Sequence, residues 1–279
     1  MPQASADAVA PADARGPMRA LDLLAALLVC GAAVLLFAVH ARPLGYVPLV
    51  AGVGLAALSS RILARDLGII ALGQAIISTI SLEADLSDAG MARFALALGG
   101  AVLAPVVLAR LLGIREVFPR RPRTGRWSRA QWAYIGLVVV AGYLILPFYF
   151  LSSGVYRNWP DLPTEGDIAR LFVGVNAVGI WDELFFICIV FALLRRHFPL
   201  WAANGLQALV FVSFLWELGY REWGPLLTVP FALIQGWIFN RTKSLAYVIT
   251  VHLLFDAVVF MVLVHGHHPE LFDIFLTAP

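Results

Sequence analysis

The chain is 279 residues long, 61% hydrophobic and only 14% charged, with a mean hydropathy of +0.83. A water-soluble domain of that size has too little interior to hide so much apolar surface, so the bilayer is the expected solvent. A formal net charge of +2 leaves no electrostatic footprint for nucleic acid, and two cysteines inside apolar runs, Cys30 and Cys188, make no disulfide framework.

Residues 1–19 are rich in Ala, Pro and Asp and read as a disordered cytoplasmic tail. The run ALDLLAALLVCGAAVLLFAVH that follows is too long for a signal-peptide core and has no convincing cleavage site, so it reads as a retained first spanning helix. Further apolar segments lie at 44–60, 67–82, 91–112, 130–152, 168–194, 200–219, 225–240 and 244–265. The expected fold class is therefore all-α, a polytopic transmembrane bundle of about nine helices. Its organisation reads as an N-terminal four-helix bundle at 20–112, a basic cytoplasmic loop at 113–129, a helical core at 130–265 and a C-terminal tail at 266–279.

Charge placement orients this bundle, because basic residues near helix ends stay on the cytoplasmic side. With the N-terminus inside, the inner turns hold Arg61 and Arg65, the run from Arg110 to Arg129, Arg195 with Arg196, and Arg241 with Lys243, the only lysine. The outer turns hold EADLSDAG at 83–90, YRNWPDLPTEGD at 156–167 and the tail HGHHPELFD, which puts the C-terminus outside. Arg42, Arg93, Arg157, Arg170 and Arg221 are the exceptions. The basic loop reads most simply as a topology anchor beside anionic lipid. There is no internal repeat.

Against this apolar background a few polar side chains stand out. WDELFFI at 181–187 places Asp182 and Glu183 side by side in a hydrophobic helix, with Asp182 ~12 residues, or ~18 Å, from the inner end at Leu194. An ionisable group at such depth costs roughly 2.5–3.5 kcal/mol and normally faces a protein interior or a wet cavity. Neighbouring helical residues point ~100° apart, so one carboxylate is expected to face a reacting centre while the other holds a nearby donor. His252 and Asp256 in VHLLFD share one face of the last helix, a turn apart, where each can orient the other toward water or a metal. Glu217 in FLWELGY is the third anomaly. The plainer readings are a polar clasp between helices, with Gln235 or Asn240 as partner, a packed histidine at 252, and an interfacial Glu217 beside Tyr220 and Arg221. Ala232 and Gly236 form a small-xxx-small step for close helix contact.

WDELFF, a polar position on the next helix, and GWIFNRTKSLAYVITVHLLFD together resemble the CPBP intramembrane metalloproteases, the CAAX-prenyl-protease type II or Abi family, over residues 168–265. That family has the motifs Glu-Glu-x-x-x-Arg, Phe-x-x-x-His and His-x-x-x-Asn/Asp. The resemblance implies a membrane-embedded endopeptidase of the bacterial cell membrane, acting on a peptide or membrane-protein substrate. In it Asp182 activates the attacking water, Glu183 is the second carboxylate, and His252 is supported by Asp256 and stabilises the oxyanion. The first motif has Ile187 at its arginine position, and the second is degenerate, with Leu215 following Phe211 where a histidine belongs. Glu217 is taken as the substitute for that histidine. One divalent metal ion and a metal-free, carboxylate-activated water both remain open, since a site with a single histidine suits a hard ion better than zinc. The rival readings are a catalytically inactive relative serving as membrane scaffold or immunity factor, and a proton-coupled transporter.

Overall fold

A computed structural model describes residues 18–115, 117–118 and 126–279. All but the last two residues of the expected N-terminal tail lie outside the described residues, as does the centre of the basic loop with Arg120, Arg121 and Arg123. Among the described residues the regular structure is wholly helical. The principal helices are α1 (Ala20–Ala38), α2 (Arg42–Ser59), α3 (Arg61–Ile77), α4 (Asp88–Leu111), α5 (Arg129–Ser152), α6 (Glu165–Leu194), α7 (Leu200–Leu218), α8 (Pro225–Thr242) and α9 (Leu245–His267).

Short polar side chains start these helices where hydropathy alone cannot. Ser60, Ser87 and Ser244 accept from the backbone N–H three residues on, each satisfying one of the donors that a helix start leaves free. Ser128 with Gln131 and Thr164 with Asp167 form reciprocal capping boxes. The largest shift from the sequence reading is at α3, which begins at Arg61 rather than 67. Its first turns carry Arg61, Arg65 and Asp66, and an apolarity window passes over them.

Among the described residues, six helices are long and apolar enough to cross a membrane: α1, α2, α4, α5, α6 and α9. The remaining three are the polar ones. α3 has 17 residues and a buried Asp66, while α7 and α8 bury Asn204, Gln207, Glu217 and Gln235. The outside of the molecule is as apolar as its interior: Val50, Leu58, Leu96, Leu103, Leu137 and Trp201 are all exposed. Such a girdle with polar groups turned inward is what a hydrocarbon solvent selects.

α6 is the central post, with 72% of its apolar window buried, the most of the six. Its backbone changes from α to π geometry over Glu183–Phe191, a form that is rare and concentrates at functional sites. The N-terminal helices pack directly on this segment. A Cβ at Gly73 of α3 would lie 2.4 Å from the Phe185 ring, and the Trp181 indole N–H donates to Leu98 O of α4 at 2.7 Å. α7 and α8 meet where small residues allow it: Asn204 and Gln207 donate to Leu233 O and Ala232 O, and a Cβ at Gly236 would strike Asn204 Oδ1 at 2.0 Å.

Two polar clusters join the N-terminal helices to the rest. At one end, Asp66 is bound by Arg65 (3.2 Å), Arg196 (3.1 Å) and His197 (2.8 Å). At the other, Arg170 pairs with Asp88 and Arg221 with Glu83, next to an Arg93–Asp85 pair within the N-terminal part.

The packing at Gly73 gives a direct test. Gly73→Ala forces the Phe185 ring to move, an overpacking change that costs about 1–3 kcal/mol. Gly54 has nothing within 4 Å of a built Cβ, so Gly54→Ala is expected to be neutral or to gain about 0.5–1 kcal/mol. Thermal unfolding in detergent should separate the two; equal melting temperatures would contradict this packing.

Candidate active site

Asp182 closes the α-helical part of α6 and Glu183 opens its π segment. Both side chains are buried, at 2% exposure. Glu183 Oε1 accepts twice: from Gln235 Nε2 of α8 at 2.8 Å and from His252 Nδ1 of α9 at 2.8 Å. Gln235 also donates to Val248 O at 3.1 Å, which keys it to α9. Because Oε1 already accepts from Gln235, the hydrogen between it and the imidazole belongs on Nδ1; when the ring is neutral, Nε2 keeps its lone pair.

That Nε2 faces two more carboxylates, Asp182 Oδ2 at 3.6 Å and Asp256 Oδ1 at 3.8 Å. Both separations exceed a direct hydrogen bond and suit one bridging water. The imidazole is held between aromatic rings, edge-on to Phe231 (5.0 Å between centroids) and Phe211 (6.3 Å). Three oxygens in the group have no hydrogen-bond partner among the described residues: Asp182 Oδ1, Glu183 Oε2 and Asp256 Oδ2. Buried acceptors left open in this way call for water or a ligand.

The cluster borders a cavity of about 370 Å³. Asp182, His252 and Asp256 supply its charged wall, and Phe211, Phe231 and Phe255 surround them. α4 closes the opposite side with Phe94 and Leu98, and the 84–86 stretch closes the end. A second space of about 10 Å³, roughly the room one water needs, lies among Asp182, Glu183, Gln207 and Gln235. The neighbours on α6 thus divide their surroundings. Asp182 lines the large cavity, and Glu183 stands behind it, gripping α8 and α9.

Glu217 is not brought to this cluster. Its Oε1 accepts from the Leu82 backbone N–H at 3.1 Å and lies 3.5 Å from Arg42 and 3.7 Å from His40. Arg42 in turn donates to Ile80 O at 2.6 Å. The carboxylate therefore fastens α7 to the N-terminal helices, because a basic residue from a distant part of the chain reaches it, a pairing that one helix's sequence does not disclose. Ile187 and Leu215, at the arginine and histidine positions of the motifs, are both buried among apolar side chains.

Gly179 is the site residue that sequence reading passed over. A Cβ there would fall 1.9 Å from Asp256 Oδ2 and 3.4 Å from His252 Cδ2. Only hydrogen lets α9 approach α6 this closely. The available signal was a glycine three residues before Asp182, on the same helical face.

The donor set does not fit a resident metal ion. Among the described residues no group of three or more His, Cys, Asp or Glu side chains is arranged to hold one. No step below is routed through a metal.

Comparison with known families finds a likeness over about a third of the chain. Residues 164–258 match the family model "Type II CAAX prenyl endopeptidase Rce1-like". The match is consistent with the CPBP/CAAX protease family. It spans α6 to most of α9 and includes all four clustered residues. Comparison with curated proteins gives no match, and neither does comparison with solved structures.

The position of Glu217 in this CAAX-protease-like segment is testable. Glu217→Leu strips the Leu82 N–H and Arg42 of their acceptor, and an unsatisfied buried group costs about 1–3 kcal/mol. The variant should unfold at lower temperature in detergent, while Glu217→Gln, which still accepts, loses less. Parent-like unfolding of Glu217→Leu would contradict this assignment.

Proposed function

We propose that the protein is a membrane-embedded peptidase that hydrolyses an amide bond in a peptide or membrane-protein segment admitted to the 370 Å³ cavity. One observation carries the reading: His252 Nε2 faces Asp182 and Asp256 across gaps of 3.6 and 3.8 Å on the cavity wall, a spacing suited to a water that donates one hydrogen to Asp182 and the other to Nε2. The CAAX-protease match over the same residues supports it.

In this mechanism Asp182 takes one proton of the water as its oxygen attacks the scissile carbonyl carbon. His252 Nε2 accepts the water's other hydrogen in a hydrogen bond and so aims the attacking lone pair. Glu183 fixes the ring through Nδ1, and Gln235 fixes Glu183. With both hydrogens of the water spent, Asp256 accepts none from it and acts as a nearby negative charge one turn from His252. When the tetrahedral intermediate collapses, protonated Asp182 returns its proton to the departing nitrogen, giving a carboxylic acid and an amine. An imidazole whose only hydrogen is on Nδ1 has none for the oxyanion, so stabilisation of that charge is not assigned to His252.

We also propose the N-inside, C-outside orientation. Of the five arginines that fall on the opposite face, Arg42, Arg93, Arg170 and Arg221 each pair with a carboxylate, and Arg157 lies over the Tyr156 ring. Paired arginines weigh less against the charge bias than free ones.

The second reading is a non-catalytic membrane scaffold, favoured by buried apolar Ile187 and Leu215 where the motifs carry arginine and histidine. The purified chain in lipid nanodiscs, tested on a quenched-fluorescent peptide library, separates the two. Hydrolysis is expected from the parent. Asp182→Ala and His252→Ala should lose on the order of 10²–10⁴-fold in kcat, and Glu183→Ala a comparable amount, with insertion unchanged. Turnover should survive metal chelation. Undiminished cleavage in all three variants removes this reading, and an inert parent favours the scaffold.

A further inference from the structure

Amide hydrolysis places negative charge on the carbonyl oxygen, and a donor aimed at that oxygen is usually the largest single source of stabilisation. The clustered side chains supply none: three are carboxylates, and the imidazole spends its Nδ1 hydrogen on Glu183. Elsewhere on the cavity wall, the Trp181 indole N–H goes to Leu98 O and the Thr228 hydroxyl to Gly224 O. Tyr220 lines the same cavity, and its hydroxyl makes no hydrogen bond among the described residues. A buried phenol without a partner is unusual.

The turn that carries Tyr220 is rigid. α7 ends at Leu218, and Gly219 follows with φ of 133°, a conformation that L side chains rarely adopt. A Cβ at that position would meet the Trp159 ring at 2.8 Å, and Asn158 Nδ2 holds Gly219 O at 2.9 Å. The Tyr220 ring then packs edge-to-face on Trp159 (5.3 Å, 89°) and Phe150 (5.7 Å, 73°). The side chain is thus fixed by its aromatic neighbours, independently of anything its hydroxyl does.

We propose that Tyr220 is a catalytic hydrogen-bond donor, its hydroxyl directed at the carbonyl oxygen of the amide bond being cleaved. This deepens the hydrolytic reading above and rests on it. The phenol keeps its proton throughout: it donates to the oxyanion as that charge forms and relaxes when the carbonyl is restored. Burial, followed by the charges of Asp256, Tyr149 and Asp182, pushes the phenol well above the usual tyrosine range, so it stays a donor at working pH.

Two measurements on the full-length protein in nanodiscs test this. In the first, a fluorinated tyrosine of lower intrinsic pKa replaces Tyr220 and its 19F resonance is titrated. The midpoint should fall when Asp256→Asn is added, and an unmoved midpoint overturns the placement of the hydroxyl. In the second, Tyr220→Phe, which keeps the ring packing, is assayed on the cleaved library peptides. A loss of about 10²–10³-fold in kcat is expected, with KM within about twofold and thermal unfolding unchanged. A kcat within about threefold of the parent overturns the catalytic role alone. An inert parent whose 19F midpoint still responds to Asp256→Asn overturns hydrolysis and this role together, leaving the placement standing.

Discussion

The hydrogen bond between Glu183 on α6 and His252 on α9 is the constraint around which the rest of the molecule is arranged. A carboxylate and an imidazole far from water interact strongly, and either one alone would be costly to bury. Keeping them together requires α6 and α9 to approach closely, which Gly179 permits. It requires Glu183 to point toward both α8 and α9, where the backbone of α6 passes into π geometry. It also requires a second donor, which Gln235 supplies while anchored to Val248 O. Remove any of these and the imidazole loses the contact that sets which nitrogen faces the cavity.

The N-terminal helices acquire a role from the same constraint. A cavity edged by buried carboxylates cannot be left open to acyl chains, and α4 supplies the wall that α6 to α9 lack. Two further carboxylates hold that wall in place from opposite ends, Asp66 through Arg196 and His197, and Glu217 through Leu82 and Arg42. Both carboxylates are nearly inaccessible, and Arg196 and His197 are buried with Asp66, whereas Arg42 stays partly exposed beside Glu217. The residues proposed to carry the chemistry and those that join the two parts of the chain are thus of the same chemical kind. They differ in surroundings: Asp66 and Glu217 are bound by arginine and histidine, whereas Asp182 and Asp256 face the His252 ring on a cavity wall.

Much of this was legible in the sequence, and the limits are physical. Among the described residues, the six long apolar helices follow from runs of apolar residues, because hydrocarbon demands them regardless of tertiary detail, and shorter apolar runs marked α3, α7 and α8. Asp182, Glu183, His252 and Asp256 stood out because charge at such depth needs a reason, and the four-residue spacing on α9 put two of them on one face. What was hidden depends on contacts distant in sequence. Glu217 looked equivalent to the others until Arg42 and Leu82 reached it across more than 130 positions. Tyr220 sat beside it and was noted only as its neighbour, since nothing local says that it lines the cavity. Gly179 was an ordinary small residue until the Asp256 carboxylate came to rest against it. The change to π geometry has no local signature in ELFFICIVF, an unbroken apolar run after its first residue.

The central claim is that Glu183 holds the hydrogen of His252 on Nδ1 and leaves Nε2 facing the cavity. Selective 15N-histidine labelling in nanodiscs, with the His252 resonances assigned by loss in His252→Gln, reports that tautomer directly. The account predicts a protonated Nδ1 and an unprotonated Nε2 at neutral pH, with the pattern disturbed in Glu183→Gln. A ring protonated on Nε2 alone, or one that does not respond to the change at residue 183, would contradict it.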